Sequence, residues 1–275
     1  MSGEPHLPPG YRTSQRNRAK LVAHVELEPE LKRAGLDQPA GWETRLTHPA
    51  AGSGRGATSL LELSCGRVVR LKRLRRGGAT ARLWRDHFAG EGRPLDNLRV
   101  SVEAAGRGVA TPRVLALLIV CGVRGLVRAW LAIEELQDTV DLQSCFRSDR
   151  PPTPAELAAA LGVVHRMHDL GLEHRDLNLG NLLIRRNGVP QAFVIDLDRA
   201  RLHAGPLGFR ARQRALRRLE RSYVKSCGPG SASGDVRALI YTLYAADDPQ
   251  LAARLERGRD AGRAWISLHR LGWPR

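Results

Sequence analysis

The 275-residue sequence is short of lysine, of cysteine and of long apolar segments. Its four cysteines form no CxxC pair and no metal-ligand spacing, which argues against a disulfide framework or a structural zinc site and favours a reducing compartment. The longest apolar run, residues 114–123, falls well below the roughly 20 residues that span a bilayer, and the N-terminus shows no signal-peptide apolar region. We therefore expect a cytoplasmic protein that touches a membrane only at its surface.

Acidic residues are also in the minority. The sequence has 44 Lys and Arg against 28 Asp and Glu, a net charge of +16. A field of this sign attracts polyanions such as nucleic acid, anionic lipid, phosphorylated sugars and nucleotides. Only four of the 44 basic residues are lysines, so the arginine excess can equally reflect a GC-rich genome. Charge alone does not select among these partners.

The order of predicted elements indicates an α+β chain of two lobes. Residues 1–41 are polar and interrupted by proline, and we assign them to an N-terminal extension with one short helix near residues 27–34. Residues 42–136 read as antiparallel strands with one helical segment at 98–108 and form the first lobe. Residues 137–275 are mostly helical apart from one short hairpin and form the second lobe.

One segment of the second lobe carries most of the chemical information. The triplet His-Arg-Asp at residues 174–176 is followed by Asn181, and an apolar strand then ends at Asp196. This order resembles the H-R-D-L-x-x-x-N loop of protein kinases and the magnesium-binding aspartate that follows it. Phosphoryl transfer needs a carboxylate that orients the acceptor hydroxyl, and oxygen ligands that hold Mg²⁺ on the triphosphate. We predict Asp176 as the catalytic residue, Asn181 and Asp196 as the metal ligands, and ATP and Mg²⁺ as the cofactors.

A nucleotide-binding pattern precedes this segment in the first lobe. A turn before a predicted strand contains three glycines, which would let the backbone approach phosphates: Gly52, Gly54 and Gly56. The next predicted strand contains Lys72, one of only four lysines, at the position of the kinase lysine that pairs with the α- and β-phosphates. By the same resemblance, Glu134 and Leu136, where the last strand of the lobe ends, are assigned to nucleotide binding.

The chain departs from the protein-kinase pattern in four respects. Asp-Leu-Asp at residues 196–198 replaces D-F-G, and no A-P-E motif occurs. No Ser, Thr or Tyr lies between Asp198 and Arg221, so this span cannot be phosphorylated and a regulated protein kinase is disfavoured. The acid that should pair with the strand lysine is undefined, because Glu103 is the only acid in the predicted helix whereas the register places Asn97 at that position.

These residues resemble the bacterial lipopolysaccharide core kinases, the family that contains the kinase of 3-deoxy-D-manno-octulosonic acid (Kdo) and the heptose kinase. The matching segments are the G-R-G turn at 54–56, L-R-R-G-G at 74–78, G-V-x-T-P-R-V-L-A at 108–116, H-R-D-L-N-x-x-N-x-L at 174–183 and I-D-x-D-x-x-R at 195–201. The resemblance implies a two-lobed protein-kinase-like fold with a small antiparallel β-sheet lobe and a mainly helical lobe. It also implies ATP-dependent phosphorylation of a Kdo or heptose hydroxyl on the inner core of lipid A, at the cytoplasmic face of the inner membrane.

The positive charge fits such an acceptor, because lipid A carries phosphates and Kdo carries a carboxylate. Two arginine-rich segments, residues 73–85 and 210–221, are candidates for docking the lipid A–Kdo or core oligosaccharide acceptor and an anionic membrane surface. Three apolar positions of the second segment are candidates for the membrane-facing side of an interfacial helix: Ala215, Leu216 and Leu219. For either segment, a merely solvated face is the alternative, and no nucleic acid is expected as a partner.

Two other functions stay open at this point. The first is another small-molecule or atypical protein kinase on the same fold, which would share the catalytic residues and differ in its acceptor. The second is a catalytically silent kinase-like module that binds anions through its arginines. The intact set of Lys72, Asp176, Asn181 and Asp196 argues against the silent module.

Overall fold

The computed structural model describes residues 7–47, 58–75, 86–227, 234–246 and 248–260. The chain divides into two compact units, of which the first comprises Met1–Gly106 and Pro112–Leu136 and the second comprises Arg107–Thr111 and Gln137–Arg275. Apart from residues 107–111, the chain belongs to the first unit up to Leu136 and to the second unit after it. The composition of the sequence changes at the same residue.

The described part of the first unit is built around a seven-stranded antiparallel sheet. Its elements in chain order are β1 (Tyr11–Arg16), β2 (Ala19–His24), α1 (Glu28–Arg33), α2 (Pro39–Leu46), β3 (Thr58–Glu62), β4 (Val68–Arg73), β5 (Phe88–Ala89), α3 (Gly92–Gly106), β6 (Val114–Cys121) and β7 (Leu126–Glu134). The strands follow the order β1-β2-β6-β7-β4-β3, and β5 pairs with β7.

Both faces of this sheet are covered by helices. On one face, Leu31 of α1 and Trp42 of α2 pack in a cluster with Trp130 of β7. On the other face, Leu98 of α3 packs in a cluster with Leu131 of β7. Burial on both faces explains why β6 and β7 are almost continuously apolar instead of alternating.

The N-terminal residues are part of this sheet, and the prediction of an extension over residues 1–41 was wrong where the structure describes them. Strand β1 pairs with β2, and β2 pairs with β6 from Ala19 to Ala23. Leu21 and Val22 point to opposite faces of the sheet, and each is at most 1% exposed. The polar sequence of β1 misled the prediction because an edge strand keeps polar residues, and the burial of β2 depends on a strand about 100 residues away.

The second unit combines helices with two small sheets. Its elements are β8 (Thr139–Asp141), α4 (Leu142–Arg147), α5 (Pro154–Asp169), β9 (Leu172–Glu173), β10 (Leu182–Arg185), β11 (Gln191–Val194), β12 (Arg201–Leu202), α6 (Phe209–Cys227), α7 (Gly234–Ala245) and α8 (Pro249–Asp260). The sheets have the orders β11-β10-β8 and β12-β9. The segment with the His-Arg-Asp triplet lies between β9 and β10, which belong to different sheets.

Helix α5 leads the chain into this segment and has well-defined ends. It starts with a capping box, in which the Thr153 hydroxyl accepts the N–H of Glu156 and the Glu156 carboxylate accepts the N–H of Thr153. It ends at Asp169, and Gly171, two residues further on, has a φ of 80°, which favours glycine. A Cβ atom at Gly171 would lie 2.7 Å from the carbonyl oxygens of His203 and Gly205. The close approach of residues 203–205 to Gly171 therefore also requires glycine.

A buried polar network joins α5, α6 and α7. The Tyr244 hydroxyl lies 2.7 Å from His168 Nδ1 and accepts a hydrogen bond from Arg212, which also donates to Asp169. Burial lowers the pKa of His168 to about 3, and the positive charge of Arg212 acts in the same direction. His168 is therefore neutral at neutral pH, and its Nδ1 shares a hydrogen bond with the Tyr244 hydroxyl.

Helix α6 packs its apolar side into the second unit, and the prediction of a membrane-facing side for these residues was wrong. Ala215, Leu216 and Leu219 are 4%, 0% and 0% exposed. A helix on a protein core and a helix in a membrane surface share the same apolar periodicity, so the sequence alone did not separate them. The arginines on the other side remain accessible. None of the helices in the described ranges is both long and apolar enough to cross a membrane.

Candidate active site

The segment between β9 and β10 forms a loop that its own side chains hold in place. The amides of Asn178 and Asn181 both donate to the backbone carbonyl of Asp176, each at 2.9 Å. The side-chain oxygen of Asn178 in turn accepts the N–H of Gly180 at 2.9 Å. These bonds fix the backbone of the loop, whereas the Asp176 side chain stays exposed.

His174 holds the loop from beneath. Its Nε2 lies 3.0 Å from the carbonyl oxygen of Ile195, and its Nδ1 accepts the N–H of Asp176 at 3.2 Å. Because Nδ1 accepts, Nε2 carries the proton and donates it to Ile195. Burial lowers the pKa of His174, against the opposing effect of its bond to Ile195. The imidazole is thus neutral and has a structural role.

The predicted hairpin brings Asp196 next to this loop. Strands β10 and β11 pair antiparallel with Leu182 opposite Val194, which confirms the hairpin. The pairing continues as the N–H of Ile195 donates to the carbonyl of Asn181 at 3.0 Å. Asp196 follows with a φ of 63°, in the left-handed region that non-glycine residues rarely adopt, and its side chain is exposed. Such backbone strain often accompanies a functional position.

The negative charges of three carboxylates act on His174. Asp196, Asp176 and Asp198 all lie close enough for their negative charges to raise its pKa, although burial outweighs them. Asn181 is tied to the backbone of both Asp176 and Ile195, so it belongs to the same cluster. The carboxylate of Asp196 and the amide oxygen of Asn181 are hard oxygen donors of the kind that Mg²⁺ accepts, with water and phosphate completing its shell. The donor set fits magnesium on a nucleotide.

Asp196 and Asn181 alone would not surround a metal ion with protein ligands. Within the described ranges, no group of three or more His, Cys, Asp or Glu side chains has the arrangement of a metal site. Mg²⁺ in phosphotransferases is held by one or two protein ligands together with substrate phosphates, so such a cage is not needed here.

Helix α6 packs against the same loop, a contact that sequence reasoning missed. The hydroxyl of Ser222 accepts the N–H of Leu179 at 3.1 Å. The charges of Asp176 and Glu173 act on the guanidinium of Arg218, one helical turn before Ser222. The only signal in the sequence was the spacing of four residues between Arg214, Arg218 and Ser222, which places them on successive turns of one helix face.

In the first unit, Lys72 lies on an inner strand of the sheet. Its direct neighbours are Thr58 of β3 and Leu131 of β7. Because residues directly opposite each other share a face, Lys72 lies on the face that carries Leu131 and on which α3 packs. On α3, Asn97 is buried, whereas Glu103 is exposed.

Five other residues are assigned to the nucleotide. Two lie at or just after the end of β7, and three are the glycines of the predicted turn. Glu134 is opposite Val69, and its N–H donates to the carbonyl of Arg113 at 2.8 Å. Leu136 is the last residue of the first unit. The glycines of the predicted phosphate turn lie outside the described residues: Gly52, Gly54 and Gly56.

Similarity to known proteins is consistent with this geometry. Residues 42–243 match the lipopolysaccharide kinase (Kdo/WaaP) family. The chain belongs to this family. Among its relatives are two proteins named 3-deoxy-D-manno-octulosonic acid kinase. The one from Xylella fastidiosa (strain M12) is 36% identical over 209 residues, which cover 74% of this chain and 80% of the relative. The one from Xanthomonas campestris pv. campestris (strain B100) is 35% identical over 201 residues, which cover 71% and 76%.

A solved structure supports the fold of this lipopolysaccharide kinase. It is described as WaaP in complex with acyl carrier protein, and it matches with a TM-score of 0.50 at 22% sequence identity, covering 85% of this chain and 96% of that chain. The predicted α+β, kinase-like fold and the predicted family are both confirmed. Family membership also confirms an ATP-using sugar kinase that acts on the lipopolysaccharide inner core, in preference to the other acceptor classes that the sequence left open.

Proposed function

We propose that this lipopolysaccharide kinase transfers the γ-phosphate of ATP to a hydroxyl of a Kdo residue, with Asp176, Asn181 and Asp196 as its active site. The observation that carries the proposal is that His174 hydrogen-bonds the backbone of Asp176 and of Ile195, the residue before Asp196, while Asn181 is hydrogen-bonded to the same loop. The choice of Kdo rests on the relatives named Kdo kinase, which are 34% to 36% identical to this chain.

Asp176 acts on the acceptor hydroxyl in this scheme. Its loop is held through its backbone carbonyl, so the exposed carboxylate is available to accept a hydrogen bond from the sugar. As the sugar oxygen bonds to the γ-phosphorus, the bond from that phosphorus to the β–γ bridging oxygen breaks and ADP leaves. The hydroxyl proton passes to the carboxylate of Asp176.

Asn181 and Asp196 hold the metal, and the first unit holds the nucleotide. Bound Mg²⁺ supplies positive charge against the triphosphate. Lys72 pairs with the α- and β-phosphates, and the backbone near Glu134 and Leu136 contacts the nucleotide. The glycines of the phosphate turn complete this assignment: Gly52, Gly54 and Gly56.

The enzyme works at the cytoplasmic face of the inner membrane in this proposal, in peripheral contact with anionic lipid. The supporting observations are the net charge of +16 and the exposed arginines of α6, such as Arg210 and Arg214. Positive charge near an anionic surface favours binding by roughly 1 kcal/mol per basic residue.

The test of the proposal is transfer of labelled phosphate from ATP to defined acceptors by the full-length chain. We expect labelling of a Kdo–lipid A acceptor, and no labelling of an aminoglycoside or of a protein panel. A heptose-bearing core acceptor in which Kdo is already phosphorylated separates Kdo from heptose as the site of transfer. Labelling of that acceptor but not of Kdo–lipid A would overturn the choice of Kdo.

The matched variant for this assay is Asp176→Asn, which keeps the size of the side chain and the backbone bonds of the loop. We expect transfer to fall by roughly 100-fold or more, because loss of a positioned acid–base group typically costs 10²- to 10⁴-fold. ATP binding, followed by equilibrium titration, should stay within about twofold of wild type. Full activity in this variant would show that Asp176 does not act on the acceptor.

A further inference from the structure

Helix α6 is fixed in place beside the catalytic loop. Ser222 accepts the N–H of Leu179 at 3.1 Å, and the neighbouring Ser226 accepts a hydrogen bond from Gln143 of α4 at 3.2 Å. The buried apolar side of α6 holds the helix from behind. Side chains on the Ser222 face of α6 are therefore positioned with respect to the loop that carries Asp176.

Two arginines occupy the preceding turns of this face. Arg218 is four residues before Ser222, and Arg214 is four residues before Arg218, a spacing that stacks side chains along one helix face. Arg218 is half-buried and Arg214 is exposed. Among the ion pairs between described side chains, none includes Arg214 or Arg218, whereas the nearby Glu173 pairs with His203 at 3.2 Å.

Arg218 is subject to charges of its own helix and of the catalytic loop. Burial lowers its pKa, and the positive charges of Arg221 and Arg214 add to this effect. Glu173 and Asp176 act in the opposite direction.

We infer that Arg218 and Arg214 form the binding site for an anionic group of the acceptor, a carboxylate or a phosphate attached close to the sugar hydroxyl that is phosphorylated. This inference rests on the proposed function and adds the residues that select the substrate. The like charges of Arg214 and Arg218 repel each other, and Arg218 is also half-buried and less well solvated, so a bound anion relieves both costs. The planar guanidinium can also bind a carboxylate or phosphate through two parallel hydrogen bonds.

We assign the site to the acceptor and not to the nucleotide because α6 packs, through Ser222 and Leu179, against the loop that carries Asp176. In the proposed mechanism Asp176 contacts the acceptor hydroxyl, while Asn181 and Asp196 hold the metal on the nucleotide. An anion at Arg218 therefore lies beside the hydroxyl to be phosphorylated. Loss of Arg218 should weaken acceptor binding and leave ATP binding unchanged.

The experiment compares Arg218→Gln and Arg214→Gln with wild type in steady-state transfer to Kdo–lipid A. We expect the KM for the acceptor to rise by roughly 10- to 100-fold in Arg218→Gln, since a hydrogen bond to a charged group contributes about 1.5–3 kcal/mol. The KM for ATP should stay within about twofold. Arg218→Lys, which keeps the charge and loses the paired hydrogen bonds, should give an intermediate value.

The matched control is Arg166→Gln, which removes the same charge from an exposed position on α5. Its acceptor KM should equal that of wild type. An unchanged acceptor KM in Arg218→Gln, or an equal rise in the KM for ATP, would overturn the inference. An equal loss in Arg166→Gln would show that only overall charge matters and would overturn it as well.

Acceptor variants identify the source of the anionic group. Wild type and Arg218→Gln are compared on two modified acceptors, one without the lipid A phosphates and one with an esterified Kdo carboxylate. We expect the difference in acceptor KM between the two proteins to disappear with one of these acceptors. The case in which the difference disappears names the group that Arg218 binds. A difference that persists with both modified acceptors argues against an anion site.

A binding measurement separates failure of this inference from failure of the proposed function. If the wild-type chain does not phosphorylate Kdo–lipid A, the proposed function fails, and thermal stabilisation by inorganic phosphate then tests the arginines alone. Wild type and Arg166→Gln should show the same rise in Tm with phosphate, and Arg218→Gln a smaller one. Equal shifts in all three proteins would count against the anion site.

Discussion

His174 donates its Nε2 proton to the carbonyl of Ile195 at 3.0 Å, and Ile195 is the residue immediately before Asp196. The other ring nitrogen accepts the N–H of Asp176. One buried imidazole thus bonds to the backbone of both segments that carry the site aspartates. The relative position of these two carboxylates depends on a side chain that takes no part in proton transfer.

Replacing His174 should disturb the site more than it disturbs the fold. His174→Phe removes the hydrogen bonds to the N–H of Asp176 and the carbonyl of Ile195, each at a cost of about 1 kcal/mol in the free energy of unfolding. We expect kcat to fall by at least about tenfold and the Mg²⁺ concentration for half-maximal activity to rise. His203→Phe, at an exposed position, is the control. Unchanged magnesium dependence in His174→Phe would contradict this positioning role.

Asp196 allows a test that separates charge from backbone strain. Asn tolerates the left-handed region as Asp does, so Asp196→Asn removes the charge and keeps the backbone conformation. We expect the apparent affinity for Mg-ATP to fall by roughly tenfold or more, with the free energy of unfolding within about 0.5 kcal/mol of wild type.

The control for this substitution is Asp138→Asn. Asp138 is another exposed aspartate of the second unit with a positive φ, 57°, and it lies outside the site, where it accepts a hydrogen bond from Asn187. The control should bind Mg-ATP as wild type does. Equal nucleotide affinity in both variants would show that the Asp196 carboxylate is not a metal ligand.

Gly171 should be among the least replaceable glycines of the second unit. Gly171→Ala introduces both a left-handed alanine and a Cβ atom 2.7 Å from two backbone oxygens, so we expect a loss of roughly 3 kcal/mol or more in the free energy of unfolding. Gly188→Ala is the control, because Gly188 has a similar φ of 77° and no neighbouring atom within 4 Å. That substitution should cost only about 1–2 kcal/mol in urea denaturation. Equal losses in the free energy of unfolding would show that the backbone of residues 203–205 moves away from Gly171 at little cost.

The buried histidines make the fold sensitive to acid. The pKa of His168 is about 3 in the folded chain, below its ordinary value of 6.5, so below pH 6.5 the unfolded chain binds the proton first. Its contribution to stability is therefore complete above pH 6.5 and is lost progressively as the pH falls toward 3. Between pH 6.5 and 4 the expected loss is about 3 kcal/mol, since each pKa unit corresponds to about 1.4 kcal/mol.

The measurement is the free energy of unfolding in urea at several pH values. His168→Asn, which keeps a polar atom facing the Tyr244 hydroxyl and does not titrate, should show a flatter dependence on pH than wild type. Some dependence should remain, because burial also lowers the pKa of His174. Identical slopes in the two proteins would show that His168 is already solvated in the folded state.

The loop and the hairpin could be predicted because their signals are local. The spacing from His174 to Asn181 defines the loop, and two short apolar strands flank Gly188, whose φ of 77° suits the turn between them. The family resemblance rested on the same local segments. These residues form their structure mainly with near neighbours in the chain, so their pattern carries most of the information.

Distant contacts decided the features that the prediction missed. Strand β2 becomes an inner strand only because β6 pairs with it, and no local pattern signals that pairing. The apolar side of α6 suits a protein core as well as a membrane surface, and tertiary packing selects the core. The role of Ser222 depends on the N–H of Leu179, a partner 43 residues away.

The pairing of β2 with β6 has a practical consequence for anyone who trims this protein to its family boundaries. A fragment that starts at residue 42, where the family match begins, lacks β1 and β2. It would leave the backbone of β6 as a bare, strongly apolar sheet margin, the kind of surface that templates intermolecular β-pairing. Insoluble expression of such a fragment would then reflect the missing strands. It would say nothing about the second unit, which carries Asp176 and Asp196.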